Sequence, residues 1–106
     1  MSTSTDTEVI IDEKIKEVDN KPVKYNVIML NDDYTPMDWV ISILKTIFKH
    51  SDSSAEALTM TIHNEGSAIV GTYSYEIAEM KAIETTKLSR SNGFPLQVTI
   101  AEGENV

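Results

Sequence analysis

The chain has 106 residues, a mass of 11.8 kDa and a net charge of -8, so it has the size of one domain and repels a phosphate backbone. Nucleic acid is therefore not an expected partner. The absence of cysteine excludes disulfide frameworks, thiolate nucleophiles and iron-sulfur clusters. No apolar run reaches the length of a signal-peptide core or a membrane span, so no membrane partner is expected and a cytoplasmic location is predicted.

Residues 1–22 are predicted to form a flexible acidic N-terminal extension. The first 20 residues contain six acidic and two basic side chains and no aromatic one. Such a segment buries too little apolar surface to offset the entropy that is lost on ordering. Pro22 marks the boundary, and the folded domain is predicted to cover residues 23–106.

A strand and a helix open the predicted domain. Residues 24–30 read KYNVIML, a run of β-forming side chains that is typical of a strand covered on both faces. After a turn at residues 31–33, Thr35 and Pro36 have the order of an N-cap and a first helical residue. Apolar residues then repeat at helical spacing and predict a helix over residues 36–49. They are Met37, Val40, Ile41, Leu44, Ile47 and Phe48.

A second helix and a second strand are predicted next. Ser53 and Glu56 have the spacing of a capping box at the start of this helix. Gly66 is suited to end it in the left-handed conformation. Residues 68–73 (AIVGTY) predict the strand, in which Gly71 marks a bulge or a close backbone approach.

A third helix and a third strand complete the pattern. Ser74 is predicted to cap the helix, and Ile77, Met80 and Ile83 form its apolar stripe. Residues 95–100 predict the last strand, followed by a frayed end. The order β-α-α-β-α-β predicts an α+β fold in which a small sheet packs against helices on one face.

The turn after the first predicted strand carries three neighbouring polar side chains, Asn31, Asp32 and Asp33. Their simplest role is to turn the chain and to cap the next helix. However, three adjacent acceptors exceed what one cap needs, and negative charge held on a turn suits a cation. The loop lacks the central glycine and the closing glutamate of an EF-hand, which disfavours calcium.

His63 lies in the last turn of the second predicted helix, as His50 does at the end of the first. There an imidazole can bind the final carbonyl groups and interact favourably with the helix dipole. Neither histidine has a partner at metal-ligand spacing, so no metal or cofactor is expected. No nucleophile motif is present, and His63 with Asp33 leaves an acid–base enzyme open as an alternative.

The segment YNVIMLNDDYTPMDWVISIL closely resembles the signature of the ClpS adaptor family. The resemblance covers about residues 24–102 and includes His63, G-x-A-I-x-G at residues 66–71, the E-x-x-E-x-K motif at 76–81 and Pro95-Leu96. It implies an α/β sandwich in which an antiparallel three-stranded sheet packs against three helices. It also implies a non-catalytic adaptor that binds N-degrons, which are proteins whose first residue is Leu, Phe, Tyr or Trp, and delivers them to a Clp AAA+ chaperone and its peptidase.

The resemblance also implies roles for particular residues. Those expected to hold the substrate's α-amino group are Asn31, Asp32, Asp33 and His63. Those expected to line the pocket for its first side chain are Thr35, Met37, Val40, Thr59 and Leu96. Glu76 and Lys81 match the surface that docks on the N-terminal domain of a ClpA- or ClpC-like chaperone, and the N-terminal extension is expected to engage the chaperone during delivery.

One pocket position departs from the family pattern. Relatives commonly carry methionine where this chain has Thr59, so the pocket is expected to be wider and more polar on that side unless Met60 turns inward.

A second alternative is a domain of the same fold, like the C-terminal domain of the ribosomal stalk protein, that only docks a larger partner. The presence of Asn31, Asp33 and His63 argues against it.

Overall fold

The computed structural model describes residues 23–103, so residues 1–22 and 104–106 lie outside the described part, as does the predicted extension. The elements follow in the predicted order, and the predicted α+β fold is confirmed. They are β1 (Tyr25–Leu30), α1 (Met37–Thr46), α2 (Asp52–Glu65), β2 (Ser67–Tyr73), α3 (Tyr75–Ser91) and β3 (Gln97–Glu102). No helix among the described residues is long and apolar enough to cross a membrane.

The sheet is antiparallel in the order β2-β1-β3, and β1 is its central strand. β3 begins two residues later than predicted. The Arg90 guanidinium binds the carbonyl groups of Phe94 and Leu96, which holds that segment against α3 rather than in the sheet. Pairing then continues as far as Glu102, opposite Tyr25, so the predicted fraying after residue 100 is wrong for the first two positions.

α1 is shorter than predicted, although its apolar spacing does identify the core. It ends at Thr46 because Lys49 adopts the left-handed conformation (φ 62°). The His50 N–H then donates to the Leu44 carbonyl at 3.0 Å, which holds the following turn against the last residues of the helix. Ile47 and Phe48 follow the helix and stay buried in the core.

α2 begins earlier than the predicted capping box. Ser51 is the N-cap, and its Oγ accepts a hydrogen bond from the Ser54 N–H at 3.2 Å. Ser53 therefore lies inside the helix, and its predicted role with Glu56 is wrong. The predicted end at Gly66 is confirmed, with φ 95°.

A bulge lies beside Gly71, and it is one of the two alternatives that the sequence predicts there. The pairing of β1 with β2 shifts between Val27 and Ile28, so that Val70 is the additional residue. A Cβ atom at Gly71 would collide with the ring of Tyr73. A larger residue here would therefore force the Tyr73 ring to move.

The predicted apolar stripe of α3 faces outward, contrary to what an amphipathic helix would do. Ile77, Met80 and Ile83 are 41%, 64% and 49% exposed. The buried side of α3 instead carries small residues, Ala78, Thr85 and Ser89, which let the helix lie close to the sheet. Both sets repeat at helical spacing, and only packing distinguishes them. Ser74 is at the predicted N-cap position, but its side chain makes no capping bond.

Candidate binding site

A cavity of about 190 Å³ opens where the end of β1, the start of α1 and the last turns of α2 meet. The backbone brings these segments together, because the Asn31 N–H donates to the Gly66 carbonyl at 2.9 Å. The left-handed Gly66 turns the chain from α2 into β2 at this point. The cavity is lined by Asn31, Asp32, Asp33, Thr35, Met37, Val40, Thr59, Ile62 and His63.

Eight of the nine residues that the sequence assigned to the amino-group site and the pocket line this cavity. The exception is Leu96, which does not line it and is 1% exposed within the core. Ile62 was missed by the sequence analysis. It follows Thr59 at the i+3 position of α2 and therefore lies on the same face of the helix. Their roles in binding remain predictions.

Asp32 organises the turn between β1 and α1. Its carboxylate accepts hydrogen bonds from the backbone N–H groups of Tyr34 and Thr35 and from the Thr35 hydroxyl, at 2.7, 2.8 and 2.7 Å. The predicted N-cap role of Thr35 is therefore wrong. Pro36 is the N-cap of α1 and has no capping side chain. Because its oxygens are already used, Asp32 fixes the turn and is less available to a ligand than its neighbours.

These contacts predict how the turn responds to acid. Burial alone would raise the pKa of Asp32, but the hydrogen bonds from Thr35 and Tyr34, together with the charge of Arg90, lower it below the usual value. A lowered pKa means that the carboxylate stabilises the folded state above the pKa of the unfolded chain, and that this contribution is lost as the pH falls through the folded-state pKa. We therefore expect Asp32→Asn to lower the free energy of unfolding at neutral pH. Below about pH 4, the variant should lose less stability than the unsubstituted chain, as measured by urea titrations of both proteins at each pH. If the two proteins lost stability equally below that pH, the role of this carboxylate would be contradicted.

Three acceptor side chains at the cavity have no partner in the part of the chain that the structure describes. Among residues 23–103, the side chains of Asn31, Asp33 and His63 make no hydrogen bond or ion pair with another protein group, and all three are exposed. His50 is different, since its Nε2 lies 2.6 Å from the Val70 carbonyl and its Nδ1 lies 3.2 Å from Ser54 Oγ. Among the described residues, neither imidazole binds a carbonyl group at the end of its own helix, so the predicted hydrogen bonds to helix-end carbonyl groups are wrong for both histidines.

The opposite wall of the cavity is apolar, including at Thr59. This side chain is 3% exposed, and its hydroxyl donates to the Ala55 carbonyl at 2.8 Å. Because the hydroxyl is satisfied within α2, the expected increase in polarity is not supported. Met60 is 47% exposed and does not line the cavity, so it does not replace Thr59 at the wall.

The two predicted docking residues lie in different environments on α3. Glu76 is exposed in the first turn. Lys81 is half-buried, and its Nζ donates to the Ile47 carbonyl at 2.7 Å and lies 5.3 Å from the centre of the Tyr73 ring. Lys81 therefore ties α3 to the end of α1, in addition to any role on the surface.

Comparison with known proteins places this geometry in context. Residues 20–99 match the family model described as ATP-dependent Clp protease adaptor protein ClpS. Two relatives are named ATP-dependent Clp protease adapter protein ClpS. The protein from Nautilia profundicola is 47% identical over 76% of this chain and 84% of its own length. The protein from Pectobacterium carotovorum is 39% identical over 93% of each chain. The structure of Agrobacterium tumefaciens ClpS2 bound to L-phenylalaninamide is similar to this one, with a TM-score of 0.75 and 42% sequence identity. The similarity covers 78% of this chain and the whole of the Agrobacterium chain.

Proposed function

Because the chain belongs to the ClpS family of Clp protease adaptors, we propose that its cavity binds the N-terminal residue of proteins that begin with Leu, Phe, Tyr or Trp. The adaptor delivers these proteins to a Clp AAA+ chaperone for ATP-dependent degradation in the cytoplasm. It supplies recognition and catalyses no step itself. The bound L-phenylalaninamide of the Agrobacterium relative has a free amino group and a large first side chain, which supports this substrate class.

The observation that carries the proposal is a set of acceptors, at one side of a cavity with an apolar wall, that have no partner within residues 23–103. A free α-amino group is mostly an ammonium at neutral pH and has three N–H donors. An amide oxygen, a carboxylate and a neutral imidazole nitrogen can each accept one of them. Asn31, Asp33 and His63 provide these groups, and the bonds are strengthened by the positive charge.

The remaining wall suits a single apolar side chain. Met37, Val40, Thr59 and Ile62 contribute carbon atoms to a cavity of about 190 Å³, smaller than the roughly 300–1,000 Å³ that is typical of small-molecule sites. Burial of a Leu or Phe side chain contributes roughly 1.5–3 kcal/mol. Together with the hydrogen bonds, and after the cost of association is subtracted, this favours specific binding of moderate affinity.

Docking on the chaperone is assigned to the start of α3. Glu76 is exposed and is therefore available to a partner, which we assign to the N-terminal domain of a ClpA- or ClpC-like chaperone. Lys81 contributes less directly, because its ammonium group already binds the Ile47 carbonyl. A domain of the same fold that only docked a larger partner would have no use for three unpaired acceptors around an apolar cavity.

A series of peptides that differ only in their first residue tests the proposal. We expect peptides that begin with Phe, Tyr, Trp or Leu to bind, and those that begin with Ser or Glu to bind at least about tenfold more weakly, since they lose roughly 1.5–3 kcal/mol of apolar burial. Fluorescence anisotropy with labelled peptides measures this difference. Affinity that does not depend on the first residue would favour the docking-domain alternative.

Thr59→Met is expected to change the ranking within this series. A methionine in place of Thr59 brings longer, flexible apolar contacts to the pocket wall and narrows the space beside it. We expect affinity for Leu-initiated peptides to rise about threefold or more relative to Phe and Trp, as one additional buried methylene contributes about 0.8 kcal/mol. Ile-initiated peptides are expected to weaken through crowding at the β-branch. Met60→Thr is the matched control, and an unchanged ranking in Thr59→Met would show that position 59 does not contact the first side chain.

A further inference from the structure

The exposed apolar side of α3 is a surface that the proposed function does not use. Met80, Ile83 and Leu88 are 64%, 49% and 42% exposed and line an open groove of about 460 Å³. The groove also includes Glu84, Lys87 and Ser91. Contiguous exposed apolar side chains of this kind commonly mark an interaction surface. We call it the α3 groove.

We propose that residues 11–18 of the same chain dock in the α3 groove. The position at which this segment enters the fold supports this occupant. The described chain starts just before β1, and the Tyr25 ring packs edge-on against the Tyr75 ring with centroids 5.0 Å apart. Since Tyr75 is the first residue of α3, the N-terminal segment begins beside the helix that carries the groove.

The length and direction of the segment also fit. Twenty-two extended residues span up to about 70 Å, whereas a helix of 17 residues is about 25 Å long. Followed backward from Pro22, the chain leaves the fold at the start of α3. It is long enough to reach the groove well before Met1. Because the two parts are tethered, the segment is present near the groove at a millimolar effective concentration.

The chemistry of residues 11–18 matches the groove. Ile11, Ile15 and Val18 have i, i+4, i+7 spacing, so they form a single apolar face when the segment is helical. Such a segment has too few apolar groups to fold alone, but a preformed apolar surface supplies the missing contacts. The proposal is independent of N-degron binding, because it uses none of the residues that line the cavity.

Charge favours α3 over α2 as the docking surface for the acidic segment. Residues 1–20 have six acidic and two basic side chains. α3 has three basic and three acidic residues and therefore no net charge, whereas α2 has three acidic residues and neither lysine nor arginine. With the segment running toward the end of α3, Asp12 and Glu13 approach the end that carries Lys87. A second copy of the chain is a poorer occupant because each copy has a net charge of -8.

Engineered disulfides test the proposal in the full chain, which contains no native cysteine. The test variant is Ile15→Cys with Met80→Cys, and the matched control is Ile15→Cys with Thr99→Cys. Thr99 is exposed on the sheet and lies about 10 Å along β3 from Glu102, the residue that pairs with Tyr25. Met80 lies about 8 Å along α3 from Tyr75, so the two positions are at similar distances from the point where the segment enters the fold. With oxidised glutathione, we expect the Met80 pair to form an intrachain disulfide at least tenfold faster, measured on non-reducing gels.

Two further results support or overturn the proposal. Ile11→Ser with Val18→Ser, introduced into the Met80 pair, is expected to slow disulfide formation to the rate of the Thr99 pair. Equal rates for the two original pairs, a faster Thr99 pair, or no effect of the serine substitutions would overturn docking in the groove. Interchain disulfides as the main product would assign the groove to a second copy instead. None of these measurements involves a substrate peptide, so their failure is distinguishable from a failure of N-degron binding.

Discussion

A peptide that begins with Phe is expected to bind, and the same peptide with an acetylated N-terminus is expected to bind at least about 100-fold more weakly. Acetylation removes the positive charge and two of the three N–H donors. Loss of two hydrogen bonds to a charged group costs roughly 3–6 kcal/mol, which corresponds to more than a hundredfold in affinity. Isothermal titration calorimetry or anisotropy competition measures the difference.

The physical reason is that the acceptors of the site have no alternative donor among residues 23–103. Asn31, Asp33 and His63 make no other hydrogen bond among the described residues. An acetylated peptide can still place its phenyl ring at the apolar wall, but it leaves most of these acceptors without a donor. A free amine on a lysine side chain within the acetylated peptide is the control for general charge. Equal binding of the free and acetylated peptides would contradict recognition of the α-amino group.

The elements that sequence predicted well are those whose local signals agree with their packing. The apolar spacing of α1 selects Val40, Leu44, Ile47 and Phe48, all of which are buried. Gly66 ends α2 because no other residue adopts its left-handed conformation as easily. In these cases propensity, pattern and tertiary contacts favour the same structure.

The capping residues were predicted less well, because several polar side chains compete for each helix start. Ser51 and Ser53 are both acceptable caps, and the turn around Lys49 decides in favour of Ser51. Thr35 has the sequence of a cap, but its hydroxyl donates to Asp32 instead. These choices depend on the path of the backbone before the helix, which a local motif does not specify.

The outward stripe of α3 is the clearest case in which periodicity does not determine burial. Ala78 and Thr85 are seven residues apart on the side that faces the sheet, whereas Ile77, Met80 and Ile83 repeat every three residues and are exposed. Trp39 occupies space beside Ser89 and donates to its hydroxyl at 2.9 Å. A close helix–sheet contact selects small side chains, so a hydrophobic pattern that marks an interaction surface is indistinguishable in sequence from one that marks a core.

The candidate site was predicted more completely than the caps, because its residues are concentrated in a turn and one helix end. Leu96 is the exception, since it lies beyond α3 and is buried in the core. The different states of Asp32 and Asp33 could not be predicted. Two adjacent aspartates have the same chemistry, and only the fold of the turn shows that one carboxylate is occupied by Tyr34 and Thr35.

Alanine substitution of two histidines is expected to separate binding from stability. His63→Ala should weaken binding of a Phe-initiated peptide by about tenfold or more, because loss of a hydrogen bond to a charged group costs roughly 1.5–3 kcal/mol. His50→Ala should leave affinity nearly unchanged and lower the free energy of unfolding, because it removes the contacts with the Val70 carbonyl and Ser54. Peptide titration and urea unfolding of both variants measure the two effects.

Asn31→Ala extends the same comparison to the strand end. The substitution removes the amide oxygen but keeps the backbone N–H that donates to the Gly66 carbonyl, so the cavity should retain its shape. We expect a loss of affinity of about tenfold or more, as for His63→Ala, with little change in the unfolding midpoint. If His63→Ala instead lowered the melting temperature and left affinity unchanged, His63 would have the structural role that His50 has, and the amino-group site would have to be assigned to other acceptors.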